Sequence, residues 1–172
     1  MAQTIPITRE AVEDFLIHEA ELLDDGRFEE WHALFTDTGT YRAPLKEGTD
    51  PKRHASLVYD DALRLEERVY HLAHVPFPSQ SPPSRTLHHV SNIRIRPNAS
   101  IADGTITVRS NQLICEMRLG DFRQVGLGEQ RILSAAVEHR LELHNESDLR
   151  ISDKYILLLN RGAPMSNLTF IL

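Results

Sequence analysis

The fold turns on one stretch, Arg85-Thr86-Leu87-His88-His89-Val90-Ser91-Asn92-Ile93-Arg94-Ile95-Arg96. Leu87, His89, Ser91, Ile93 and Ile95 share one parity, and Thr86, His88, Val90, Asn92, Arg94 and Arg96 the other. A period of two predicts a long strand, which Pro97-Asn98 closes. Three more strands follow. Ile106 and Val108 lie on one parity, while Leu113, Cys115, Met117 and Leu119 lie on the other, so a β-bulge is predicted near Ser110-Asn111-Gln112. Gly126-Leu127-Gly128 reads as a turn. Leu133, Ala135, Val137, Leu141 and Leu143 alternate with polar residues, and a final strand runs from Leu149 to Leu159.

Upstream of this block the period changes to that of a helix. Val12, Phe15, Leu16, Glu19, Leu22 and Leu23 fall at three- and four-residue spacings, with Thr8 as N-cap and Asp24-Asp25-Gly26 as the stop. A second helix is predicted from Phe28 to about Leu34, its Phe28, Trp31 and Phe35 forming an aromatic stripe for the core. Thr40 to Pro44 reads as a short strand, Lys46 to Lys52 as a loop, and Tyr59 or Asp60 to about His71 as a third helix. Pro76 to Pro83 holds four prolines, which fix φ and remove donors, so it is an extended surface crossing. Helices followed by long antiparallel strands are the order of an α+β domain, here one domain over 1–172.

Composition narrows the function. The chain has 172 residues, 19 Lys and Arg against 25 Asp and Glu, and a net charge of −6. That balance argues against nucleic acid as the main partner. A single cysteine, Cys115, bars an internal disulfide, a Cys-rich zinc site or a cysteine-ligated cluster within the chain. No signal peptide or apolar span is read, so a cytoplasmic protein away from the membrane is expected.

Nine histidines raise the question of a metal. His71 and His74 share a helical face but lack a third ligand at a recognisable spacing, while His88 and His89 point to opposite faces of a strand, as do His139 and His144. An acid–base site is the alternative: His88 or His89 with Asp37 and Tyr41, in a cavity between helices and sheet. Nucleophile elbows, phosphate loops and dinucleotide fingerprints are absent.

The motif Pro82-Pro83-Ser84-Arg85-Thr86-Leu87-His88-His89-Val90-Ser91-Asn92 resembles a signature of the small (β) subunit of bacterial aromatic-ring-hydroxylating dioxygenases. The helix from Val12 to Asp24, the segment Phe28 to Phe35 followed by Asp37 and Tyr41, and the tail Ser166 to Phe170 are similar to that family in the same order. The resemblance implies an NTF2-like (cystatin-like) cone, with helices in the concavity of a bent, mainly antiparallel sheet. It implies no catalytic residue, cofactor or metal in this chain. The Rieske [2Fe-2S] cluster and mononuclear iron are expected in the partner α subunit, in an α3β3 assembly supplied with electrons by a ferredoxin or reductase, which adds O2 to an aromatic ring to give a cis-dihydrodiol. Arg85, His88, Ser91, Asn92, Arg94 and Arg96 are then expected to serve folding or subunit contacts, with a buried or interfacial Arg85 paired to a carboxylate. The rival from another class is a stand-alone NTF2-like dehydratase, isomerase or cyclase using Asp37, Tyr41 and His88.

Overall fold

The computed structural model describes residues 7–96, 104–121, 123–124, 126–144, 148–165 and 168–172. The first helix, α1 (Arg9–Asp24), begins as the sequence predicts, with the Thr8 hydroxyl accepting from the Ala11 amide at 3.1 Å. Its stop is Gly26, whose φ of +69° is the left-handed conformation that glycine adopts without a Cβ penalty. Helix α2 (Phe28–His32) follows at once. Trp31 then packs edge-on against Phe35 and Tyr41, with centroids 4.9 and 5.6 Å away.

Six strands form one sheet among the described residues: β1 (Phe35–Pro44), β2 (Ser56–Asp60), β3 (Ser84–Arg96), β4 (Thr105–Arg118), β5 (Gln130–His144) and β6 (Asp148–Leu158). Their order is β2-β1-β6-β5-β4-β3, antiparallel throughout except for the parallel pair β1–β6. The helices α1, α2 and α3 (Ala62–His74) cover the concave face. Val12, Leu16, Leu22 and Leu23 of α1 join Val108, Ile114, Val137, Leu141, Ile151 and Ile156 of the strands in one apolar core. Phe170, Ile171 and Leu172 fold back into it.

Three expectations are corrected. β1 is ten residues long rather than five, and β2 was not foreseen. Ser56–Asp60 is too short to declare an alternation, and the adjacent Asp60-Asp61 disguises a strand end followed by a helix cap. The third helix therefore starts at Ala62, with the Asp61 side chain accepting from the Arg64 amide at 3.1 Å, and it continues to His74. Its Leu65 and Val69 are buried, while Leu63 and Tyr70 face outward.

The bulge is the third correction. Strand β4 pairs with β5 without a break from Thr105 to Met117, and it is β3 that carries the bulge, between Ser91 and Arg94. Asn92 there has φ +53°, which asparagine tolerates better than most residues. The parity argument failed because β4 has polar residues inside and apolar ones outside. Ser110, Gln112, Glu116 and Arg118 are buried on the concave face, and Leu113 is 47% exposed on the other. A hydrophobic outer face reads in sequence as a change of parity.

Candidate functional site

Two imidazole–carboxylate pairs lie beneath α1. Glu19 and Asp24 project from α1 towards the sheet, one reaching β5 and β6 and the other reaching β3. Glu19 accepts from Trp31 Nε1 at 3.1 Å and Lys154 Nζ at 2.9 Å through Oε1, and from His139 Nε2 at 2.9 Å through Oε2. None of the Glu19, His139 and Lys154 side chains is more than 1% exposed. Lys154 Nζ also donates to the Leu172 carbonyl at 2.9 Å, and the Leu172 amide donates to the Tyr41 hydroxyl at 2.9 Å. Burial by itself raises the Glu19 carboxyl, but the charges and hydrogen bonds of Lys154 and His139 together hold it well below the ordinary carboxylate range. Burial pushes the Tyr41 hydroxyl above the usual phenol range, so it stays protonated.

The second pair is Asp24 with His88. Asp24 Oδ1 accepts from His88 Nδ1 at 2.5 Å and Oδ2 from the His88 amide at 2.8 Å. Burial raises this carboxyl too, and the two bonds from His88 lower it more. Donation from Nδ1 to a carboxylate sets the tautomer, leaving His88 Nε2 as the free ring nitrogen, with no partner among the described residues.

The predicted acid–base trio is not brought together. Asp37 is exposed on β1, Tyr41 is bound to Leu172, and His88 is bound to Asp24. Tyr41 and His88 stand on strands with β6, β5 and β4 between them, about 19 Å apart along the sheet at the usual strand spacing. The residues that do meet are Glu19, His139 and Lys154. Glu19 sits within the apolar stripe of α1, and His139 shares the parity of Val137 and Leu141. A charged or polar residue on an otherwise apolar face was the available signal.

Of the motif residues, Ser84 is tied most closely into the fold. Its hydroxyl donates to Glu116 at 2.7 Å, and Arg131 holds the other oxygen of that carboxylate at 2.6 Å. Gln80 bonds Ser84 and also Thr169 of the tail, at 3.1 and 2.7 Å, while Arg118 donates to the Pro82 carbonyl at 3.1 Å. Loop, sheet and tail are thereby tied together. Arg85 is exposed and has no carboxylate partner among the described residues of this chain. Its odd parity puts it on the outer face beside Met117, while Arg131 is the arginine that pairs with the buried Glu116. Ser91, Asn92, Arg94 and Arg96 are likewise exposed. A cavity of about 500 Å³ opens next to the motif, walled by Leu23, Phe28, Phe77, Ser84 and Phe170.

The outer face of the sheet has two zones. At one end Leu87, Cys115 and Ile132 stand opposite one another on β3, β4 and β5, with Leu113 and Leu119 nearby. Leu87 is 53% and Ile132 60% exposed. At the other end lie Arg94, Arg109, Glu138, Tyr155 and Arg42. Among the described residues no three His, Cys, Asp or Glu side chains stand together as a metal site, and no helix is long and apolar enough to cross a membrane.

Comparison with known proteins gives this geometry its setting. The chain is 44% identical over 121 residues to the small oxygenase component of the p-cumate 2,3-dioxygenase system of Pseudomonas putida, an alignment spanning 67% of this chain and 64% of that protein. It is 32% identical over 140 residues to a benzene 1,2-dioxygenase subunit beta from Pseudomonas putida, covering 76% and 73% of the two chains. The benzoate 1,2-dioxygenase beta subunit of Burkholderia mallei has the same fold, with a TM-score of 0.72 at 19% identity over 97% of this chain and 99% of that one. The architecture is the expected NTF2-like α+β cone. The relatives are components of oxygenases, which favours the subunit reading over the stand-alone enzyme. With residues 18–164 matching the ring hydroxylating beta subunit family, the chain belongs to that family.

Proposed function

We propose that this chain is the structural, non-catalytic β subunit of a ring-hydroxylating dioxygenase, acting as one domain over 1–172. It would form a trimeric base for three α subunits, whose Rieske cluster and mononuclear iron add O2 to an aromatic compound to give a cis-dihydrodiol. A ferredoxin or reductase supplies the electrons, and the complex works in the cytoplasm.

The observation that carries this reading is the contrast between the two faces of the sheet. On the concave side, where an acid–base pocket would need open space, Trp31, Tyr41, Lys154 and Leu172 are buried, and Glu19 holds both His139 and Lys154. On the outer side an apolar ladder faces solvent, and large contiguous apolar patches mark protein contacts. Interfaces of obligate oligomers are built from such surfaces.

The test is affinity capture of the tagged chain from its native cells, with a visible spectrum of the eluate. A red-brown complex containing a larger partner in equal amount is expected. A colourless homo-oligomer with no partner would overturn the reading.

A further inference from the structure

The charged zone of the outer face carries an imbalance that the fold does not resolve internally. Arg94 of β3 stands directly opposite Arg109 of β4, and like charges across a strand pair are unfavourable. Arg96 stands opposite Thr107, and Thr107 opposite Arg140, so four guanidiniums crowd three adjacent strands. The carboxylate bonds in this zone are Arg109 to Glu138, at 3.6 Å, and Arg42 to Asp153, which stands opposite Arg140 with Glu142 beside the same groove; Arg94, Arg96 and Arg140 themselves make no ion pair among the described residues. Two grooves flank the cluster. One, of about 290 Å³, is lined by Thr40, Arg42, Arg140 and Asp153. The other, of about 530 Å³, is lined by Arg42, Arg109, Glu138 and Tyr155, with Glu47 and Asp50 on its far wall. Arg42 is itself paired with Asp153.

The complementary surface is on the same chain. Residues 9–32 hold nine Asp and Glu against two Arg. Glu13 pairs with Arg9, Glu30 with Arg27, and Glu29 with His74. The Glu10, Asp14, Glu21 and Asp25 side chains are exposed and form no ion pair or hydrogen bond among the described residues. Spacings of four, seven and four residues put all four on one helical face, with the half-exposed Ile17 between them. The stripe is about 22 Å long at 1.5 Å per residue, on a helix about 10 Å wide. Three strands present about the same width.

We infer that the Arg94–Arg96–Arg109–Arg140 face of one copy docks the Glu10–Asp14–Glu21–Asp25 face of α1 in a second copy. The surfaces differ, so the contact is head-to-tail, the kind that closes into a ring. This deepens the assembly proposed above and rests on it for the presence of several copies.

The experiment is sedimentation velocity of the full chain, at low and high salt, with charge-swapped variants. Association that weakens with salt is expected, since exposed pairs are screened within about 8–10 Å at moderate ionic strength. Arg94→Glu with Arg140→Glu, and separately Asp14→Lys with Glu21→Lys, should each weaken it about tenfold or more. The four substitutions combined should restore it. The milder Arg94→Gln with Arg140→Gln should show a smaller loss in the same direction. A wild-type chain that is monomeric at low salt, or variants that associate normally, or no recovery in the combined variant, would overturn the inference. So would arginine variants that keep self-association but lose the larger partner, because the occupant would then be that partner. Absence of any larger partner in the wild-type capture would instead count against the dioxygenase assembly, leaving the charge-swap result to stand by itself.

Discussion

Replacing Lys154 by methionine removes one charge from the most deeply buried polar cluster and keeps the volume nearly constant. The lysine ammonium holds Glu19 at 2.9 Å and the Leu172 carbonyl at 2.9 Å. Lys154→Met leaves the Glu19 carboxylate with only the Trp31 N–H and His139, in a site with no access to water. Breaking a buried pair from one side costs about 3–5 kcal/mol, a large part of the ~5–15 kcal/mol that stabilises a typical domain. For a chain of this size that is a fall in Tm of about 6–20 °C. The assay is urea unfolding followed by the fluorescence of Trp31, the only tryptophan in the chain and itself a ligand of Glu19.

The pH dependence adds a second check. The folded-state pKa of Glu19 is lowered, so its contribution is fully present above the unfolded value of about 4.3 and is lost as pH falls below it. Without Lys154 the raising effect of burial is less opposed, so the variant protonates Glu19 earlier and the gap from wild type narrows in acid. Glu19→Gln combined with Lys154→Met should cost less than the sum of the single changes by about 2 kcal/mol. A neutral-pH cost below about 1 kcal/mol, or a gap that does not change with pH, would refute the view that these charges hold one another.

Other expectations follow from single contacts. Asp24→Asn weakens two bonds to His88 and should cost about 1–3 kcal/mol; nitrogen NMR of the wild type should find His88 protonated at Nδ1, and the Nε2 tautomer would contradict the geometry. Tyr41→Phe strips the Leu172 amide of its acceptor, with a loss of about 1–3 kcal/mol in urea unfolding. Asn92→Gly should leave stability nearly unchanged, whereas Asn92→Val, forced to φ +53°, should lose about 1–2 kcal/mol; equal stabilities would place the bulge elsewhere. Ser84→Ala should speed proteolysis in the loop from Pro76 to Pro83 by releasing it from Glu116, and unchanged cleavage would show that the other anchors suffice.

Periodicity carried most of the architecture. The three-to-four spacing of Val12, Leu16 and Leu23 requires a helix with one apolar face, and the alternation from Leu133 to Leu143 requires a strand with one face buried. Both are local properties of the backbone, so both are legible in one dimension. The same reasoning misplaced the bulge because parity identifies the apolar side of a strand and not the inner side. On β4 those differ: Leu113 and Cys115 face out while Gln112 and Glu116 face in. The short strand β2 gave no signal of its own, since it is held by pairing with β1, a contact between distant residues.

The site shows the same division. From sequence, the lone cysteine, the acidic balance, the histidine supply and the motif around Ser84 were all visible, and with them the family. What could not be read was which carboxylate meets which base. Asp37, Tyr41 and His88 have suitable chemistry but stand on different strands with different partners. Glu19, His139 and Lys154 lie at distances of 120 and 15 residues along the chain, and they meet because α1 packs into the concavity of the sheet, where the Glu19 side chain reaches His139 of β5 and Lys154 of β6. Residue type and spacing are set by the chain itself. Proximity between distant residues, and the side of the sheet that water reaches, exist only once the helices have packed into the concavity and excluded solvent from one face.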